Sequence, residues 1–578
     1  MTASFSGPAG PVLHASHPDD AWWRSAVIYQ IYPRSFADAN GDGVGDLAGI
    51  TSRLPYLRRL GVDAVWLSPF YTSPQADAGY DVADYRDIDP LFGSLADADL
   101  LLKTAHDLSL KVIVDLVPNH SSDEHPWFQS ALRAGPGSPE RDRYIFRDGT
   151  GDHGAEPPNN WQSVFGGSAW THTTNADGTN GQWYLHLFDQ KQPDFNWQNP
   201  QVRAEFEDVL RFWLDRGADG FRVDVAHGLM KAAGLPDWTG PMNMLDLVDE
   251  SIERPPMWDQ DAVHEIYRSW RAILDSYNPP SAQDHHSSLD RVMCAEAWVD
   301  PPERAALYVR EDEFHQAFNF DFLQSDWTAE SLHRTITRSL EANDAVGAPT
   351  TWVLSNHDVV RHASRLGLPV GTPRPNGIGI GDPQPDAEVG LRRARAATTL
   401  MLALPGSAYL YQGEELGLPE HTSLPDEARQ DPTWERTQHA ERGRDGCRVP
   451  IPWEKSSPSY GFGPSDVTWL PQPEVYGDLA VDQQAGIPGS TLELYRTLLA
   501  TRHERRLGEG SLTWIDAGPD VVAFENATPH GRTRAVLNLG DTAIGLPENA
   551  VVLASSGPVD DLAVPRDTAV WFTQEARQ

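Results

Sequence analysis

Apolar residues along this chain gather into short runs that end abruptly in polar ones. VIYQIYP at 27–33, VDAVWLSP at 62–69, KVIVDLVPNH at 111–120 and GFRVDVAHG at 220–228 are the first four. RVMCAEAW at 291–298, QAFNFDF at 316–322, TWVLSNHD at 351–358 and GSAYLYQGEE at 406–415 complete the set. Between most of them the period changes: GITSRLPYLRRLG and ADADLLLKTAHDLSL place apolar residues three or four apart, the spacing of a helix with one buried face. Eight strands alternating with helices predict an α/β fold, the (β/α)8 or TIM barrel.

Three stretches leave that rhythm. Residues 119–190 are rich in Trp, Gly, Asn and His without helical spacing, and predict a subdomain inserted after the third strand. Residues from about 371 to 455 carry Pro, Gly and charge (GTPRPNGIGIGDPQPD, RTQHAERGRDGCRVP) and predict a loop-rich insertion near the seventh and eighth strands. From 507 to 578 the runs SLTWIDAG, VVAFENA, TRAVLNLG and DTAVWFT alternate, which predicts a C-terminal antiparallel β-domain. The barrel is therefore expected from 1–118 and 191–506, the inserted subdomain from 119–190 and the β-domain from 507–578.

Charge narrows the partners. Against 46 Lys and Arg stand 83 Asp and Glu, a net charge of -37. Nucleic acid and anionic membrane surfaces are thereby disfavoured, whereas a neutral polyhydroxylated ligand is not. No run of 18 apolar residues occurs, and MTASFSGPAGPVLHASHPDD lacks a basic segment followed by an apolar one, so a cytoplasmic protein is expected. Cys294 and Cys447 form neither a disulfide framework nor a zinc spacing.

In such a barrel the reactive groups sit where strands end. Four of the runs end in acids or bases: Asp115 with Asn119 and His120, Arg222 with Asp224, Glu296, and His357 with Asp358. Carboxylates converging from separate strands repel one another, a cost that chemistry at the site explains.

The segments DLVPNH, GFRVDVAH, EAW and SNHD, in that order, resemble the four hallmark segments of glycoside hydrolase family 13, the α-amylase superfamily. QPDFN at 192–196 and LPGSAYLYQGEELG at 404–417 resemble two more, and AWWRSAVIYQIYPRSFADANGDGVGDLAGI with DAGYDVADY resembles the α-glucosidase and oligo-1,6-glucosidase branch. The resemblance implies a retaining reaction in which Asp224 attacks, Glu296 is general acid and base, and Asp358 favours the distorted transition state. Arg222 is then expected to lower the pKa of Asp224, and nearby negative charge to raise that of Glu296. It also implies that Asp77, Tyr80, His120 and His357 bind the terminal glucose, that Phe165 and Phe188 form apolar walls, and that Arg448 pairs with Asp77 to close the pocket.

DANGDGVGD places oxygens at Asp38, Asn40, Asp42 and Asp46 with the Val44 carbonyl between them. Gly49 stands where an EF-hand needs a bidentate Glu, so an EF-hand is excluded. The resemblance implies one structural Ca²⁺ there, with Mg²⁺ as the alternative ion; a solvated acidic turn is the competing reading. The expected partner is a small oligosaccharide, with no nucleic acid and no membrane, and the chain is a monomer or a dimer.

Linkage stays divided between α-1,4 and α-1,6. Val225 after Asp224 is the residue associated with α-1,6 action in this branch, but the context DVAHG departs from the DVxNF-like segment, which tilts the reading to maltose-like substrates. Trehalose or sucrose isomerases and glucosyltransferases share the same triad. A non-catalytic barrel partner would have lost the carboxylates that are present here.

Overall fold

The computed structural model describes residues 11–16, 21–175, 178–240, 254–278 and 290–574. Its centre is a closed ring of eight parallel strands: β1 (Val27–Ile31), β2 (Ala64–Leu67), β3 (Lys111–Leu116), β4 (Gly220–Val223), β5 (Val292–Ala295), β6 (Gln316–Asn319), β7 (Thr351–Val353) and β8 (Ser407–Tyr411). Neighbours in sequence pair in space, and β1 pairs with both β2 (Ile28 opposite Ala64) and β8 (Val27 opposite Ala408), which shuts the ring. All eight expected runs supply a strand.

Period two along the strands separates two apolar layers. Ile28, Ala64, Trp66, Ile113, Val292, Cys294, Phe318 and Tyr409 fill the ring interior. Val27, Tyr29, Ile31, Val65, Leu67, Val112, Val114, Phe221 and Val223 belong to the larger core beneath the helices. The same alternation carried forward from Ile113 and Cys294 puts Asp115 and Glu296 on the inner side. In GFRVD, Phe221 and Val223 face the helices, while Arg222 and Asp224 face the axis.

The outer layer holds α1 (Leu47–Leu60), α2 (Leu95–Asp107), α3 (Pro200–Arg216), α4 (Val263–Ser276), α5 (Ala329–Asp344), α6 (Ala387–Ala403) and α7 (Thr491–Arg505). Local chemistry sets their ends. The Asp46 carboxylate caps α1 by accepting the Gly49 N–H at 2.6 Å, and Gly61 stops it with φ 102, a left-handed conformation that costs glycine little. Ser94 and Asp97 form a capping box at the start of α2. Between β5 and β6 the chain makes only the short turns Pro302–Ala305 and Ala306–Val309.

After β3 comes a short helix, Pro126–Ala134, and a small antiparallel sheet in which Asn180–Leu185 lies between Phe146–Arg147 and Trp170–Thr174. The stretch 371–455 is divided by α6 and β8, so its loop character belongs to two separate segments on the strand-exit side. The C-terminal sheet comprises β9 (Ser511–Trp514), β10 (Val521–Thr528), β11 (Gly531–Asn538), β12 (Ala550–Ser555) and β13 (Thr568–Gln574), ordered β9-β10-β11-β13-β12. It is fastened to α6: Trp571 Nε1 donates to Thr399 O and Asn526 Nδ2 to Ala403 O, both at 2.8 Å. Among the described residues no helix is long and apolar enough to cross a membrane.

Candidate active site

Where β3, β4 and β5 end, one buried guanidinium serves three carboxylates. Arg222 Nη1 lies 2.7 Å from Asp224 Oδ1 and 3.0 Å from Asp115 Oδ1, and its Nη2 lies 2.7 Å from Glu296 Oε2. The Trp66 ring stacks beneath it, 4.9 Å from the guanidinium carbon, and donates its indole N–H to Asp115 at 3.1 Å. One positive charge cannot neutralise three negative ones. Burial pushes Asp224 well above the usual carboxylate range; Arg222 pulls against it, while Glu296 and Asp115 add to the rise. Asp115 is pushed up to about 7, again by burial, with Arg222 opposing. Arg222 does lower Asp224, as expected, but burial, with Glu296 and Asp115, outweighs it and the net shift is upward.

Directly after Asp224 the backbone turns sharply. Val225 has φ 45, an unusual place for a β-branched residue, and this conformation aims its N–H at Glu296 Oε2, 3.0 Å away. Trp298 Nε1 reaches the other oxygen, Oε1, at 3.3 Å. His227, from the same segment, is buried outside the pocket against Trp258, with ring centroids 5.0 Å apart.

Asp358 has the opposite environment. Burial works against its ionisation, but Arg444, Arg448 and Arg222 outweigh that and hold it below the usual range. His357 is fixed by Gln30 Nε2 at 2.7 Å and by the Tyr80 hydroxyl at 2.6 Å, and burial keeps it neutral, far below an ordinary histidine. His120 is lowered to about 4 by burial, and its Nε2 lies 3.1 Å from the Tyr80 carbonyl.

The pairing of Asp77 differs from expectation. Arg444, not Arg448, binds it: Nη2 is 2.7 Å from Asp77 Oδ1, and Nη1 is 3.0 Å from Asp358 Oδ1. Arg448 sits behind, donating to His357 O at 2.8 Å and to Asp358 at 3.0 Å. The two arginines are one turn apart around the short helix Asp445–Cys447, and only the first reaches the cavity. Burial pushes Asp77 up to about 6, with Arg444 and then Arg448 restraining the rise.

These groups line one pocket. Asp77, Tyr80, His120, Phe165, Phe188, Asp224, Glu296 and Asp358 all face it, and Arg222 and His357 stand directly behind. Val164, Val225, Trp298, Asn376, Thr433 and Arg444 complete the wall. Of these, Asn376 and Thr433 come from the Pro- and Gly-rich loops and carry no periodic signal; Trp298 stood in the EAW segment without a role.

The Asp38–Asp46 loop lies apart from this pocket, between β1 and α1. Asp38 accepts the N–H groups of Gly41 and Gly43, Asn40 Oδ1 that of Asp42, Asp42 that of Val44, and Asp46 those of Ala39, Asn40 and Gly49. Among the described residues no three His, Cys, Asp or Glu groups cluster as metal ligands. A cation would thus depend on the Asn40 amide and the Val44 carbonyl as well as the carboxylates, an all-oxygen set suited to a hard ion.

A parallel barrel whose strand ends present three carboxyl groups to one pocket is the architecture of a glycoside hydrolase, and this chain is one. The family described as "Alpha amylase, catalytic domain" matches residues 30–510, and the chain belongs to it. It is 38% identical over 536 residues to a probable alpha-glucosidase of Rhizobium meliloti (strain 1021), covering 91% of each chain. It is 35% identical over 514 residues to an oligo-1,6-glucosidase of Parageobacillus thermoglucosidasius, covering 84% of each. The crystal structure of the alpha-glucosyl transfer enzyme XgtA superposes with a TM-score of 0.81 at 36% identity, over 96% of this chain and all of that one.

Proposed function

We propose that this enzyme is a retaining, exo-acting α-glucosidase that releases terminal, non-reducing α-linked glucose from short oligosaccharides. The observation that carries the reading is Arg444, which spans Asp77 and Asp358 in the pocket wall; in this reading that ion pair closes the pocket beyond one sugar. The kinship with alpha-glucosidases and oligo-1,6-glucosidases supports the same class of substrate.

In this reading Asp224 attacks the anomeric carbon while Glu296 protonates the leaving oxygen; water then opens the covalent glucosyl-enzyme with Glu296 as base. Such a mechanism needs one carboxyl protonated and one ionised. Asp115, Asp224 and Glu296 gather around the single Arg222 guanidinium, so their carboxyl groups share one positive charge. Asp358, held ionised by two arginines, grips hydroxyl groups and stabilises positive charge at the anomeric carbon. Tyr80, His120 and His357 present neutral hydrogen-bonding groups, and Phe165 and Phe188 pack on the apolar faces of the ring.

We further assign an α-1,4, maltose-like preference, because Val225 stands in the DVAHG context and not in a DVxNF-like one. Anomer-resolving NMR with maltose, isomaltose, sucrose and trehalose tests both assignments. α-Glucose released first, and mainly from maltose, is the expected result. Preference for isomaltose overturns the linkage. Accumulation of a new disaccharide makes the enzyme a transferase or isomerase, a second reading to which the likeness to XgtA lends weight.

The oxygen-rich loop Asp38–Asp46 is proposed to hold one Ca²⁺, or Mg²⁺, in a structural role. Chelation should then lower the melting temperature by several degrees, on the order of 1–3 kcal/mol, while turnover at low temperature persists. An unchanged melting temperature removes the ion from the account.

A further inference from the structure

Glu296 is held asymmetrically. Oε2 already faces two partners: an ion pair with Arg222 Nη2 at 2.7 Å and the Val225 N–H, which it accepts at 3.0 Å. An oxygen so occupied is a poor place for a proton. Oε1 takes the Trp298 indole N–H, at 3.3 Å.

That indole is itself immobilised. Its ring lies parallel on Phe320, with centroids 3.7 Å apart and planes 2° apart, and the Arg374 guanidinium covers it at 5.3 Å. Phe320 follows β6, and Arg374 comes from the loop before α6, so three separate parts of the fold fix one N–H bond vector. Preorganisation of this kind matters most where charge changes during reaction.

We propose that Trp298 is a positioning residue for Glu296: its N–H occupies one lone pair of Oε1, directs the acid proton carried on that oxygen toward the leaving group, and receives the charge left when the proton departs. The proposal rests on Glu296 being the acid. In the step itself the Oε1–H bond breaks as the proton moves to the glycosidic oxygen. The electron pair of the C1–O bond stays with that oxygen, Asp224 bonds to C1, and Glu296 is left as a carboxylate. Trp298 forms no bond to substrate; it strengthens its hydrogen bond as negative charge appears on Oε1, an interaction better in the transition state than before it.

The test separates protonation from binding and folding. Trp298→Phe keeps the ring on Phe320 and deletes the N–H. The expected result is a loss in kcat/KM of about 10-fold on maltose, whose leaving alkoxide needs a proton, against less than about 2-fold on 2,4-dinitrophenyl α-glucoside, whose leaving group does not. The alkaline limb of kcat/KM on maltose should move to higher pH, because a donor to the ionised carboxylate has been removed. β-(3-Benzothienyl)alanine at position 298, which replaces the N–H by sulfur with little change in shape, should behave like Trp298→Phe and serves if that variant folds poorly. Equal losses on both substrates, or no loss on maltose, overturn the proposal. Glu296→Gln is measured alongside: a leaving-group contrast there with none for Trp298→Phe removes Trp298 alone, whereas no contrast in Glu296→Gln removes the acid assignment and the proposal with it.

Discussion

Two aspartates bracket strand β4, Asp219 before it and Asp224 after it, and their surroundings are opposite. Asp219, at the closed end of the barrel, meets His106 at 2.7 Å, Lys111 at 3.2 Å and Arg291 at 3.3 Å, and accepts the Val112 N–H at 2.9 Å. Burial opposes its ionisation, but His106 and Lys111 outweigh it and its pKa falls. Asp224 shares one guanidinium with two other acids, and its pKa rises. One end of the strand has more positive charge than it needs for neutrality, the other less. The first arrangement holds strands together; the second leaves a carboxyl group unsatisfied and reactive, the usual tension between stability and activity.

The sharpest way to break this contrast is Asp224→Asn. Glucose release from p-nitrophenyl α-glucoside should fall by about 10⁴-fold or more, whereas the melting temperature should hold or rise slightly, since one of three repelling acids is gone. Retained activity would remove Asp224 as nucleophile. Arg444→Met comes next, because it strips one of the two arginines from Asp358 and opens the pocket end. Its kcat/KM on maltose should drop about 10²-fold, and disaccharide should appear among the products from maltotetraose; a purely glucose-releasing variant would refute its closing role. Arg448→Met, which keeps the Asp77 pair, should still release glucose alone.

Asp219→Asn gives the smallest effect and the cleanest control. Stability should fall by about 1–3 kcal/mol, less than for a fully buried pair because its cations are partly solvated, with activity per folded molecule unchanged. The pH dependence follows from the depressed folded pKa. The contribution is fully present above the unfolded value of about 3.9 and is lost as pH falls through the lower folded value. Denaturation curves of wild type and variant should therefore differ at pH 7 and converge in strong acid; a gap that persists there would mean lost packing.

The barrel was legible because most of its strands are buried on both faces and so read as largely apolar runs closed by polar residues. The inward acids were legible for the same reason, as interruptions with period two. What the chain conceals is which of two like groups reaches a given partner. Arg444 and Arg448 differ by one turn of a short helix, and no spacing rule tells which one faces Asp77. Nor does sequence convey stoichiometry of charge: Arg222 beside Asp224 reads as a simple pair until Asp115 and Glu296, distant in the chain, claim the same guanidinium. Asn376 and Thr433 lie in loops whose path is set by tertiary contacts, so their arrival at the pocket has no local signature.

The ring is shut by its first and last strands, and α6 is buried on all sides through its final turns, partly by the C-terminal sheet. For a chain emerging from the ribosome this imposes an order of events. β1 waits with an unpaired edge until β8 has been made, and α6 keeps an apolar side uncovered until β13 follows. The newly made protein thus spends most of its synthesis as an open, adhesive sheet, and trimming the terminal β-domain would leave that stickiness in the finished molecule.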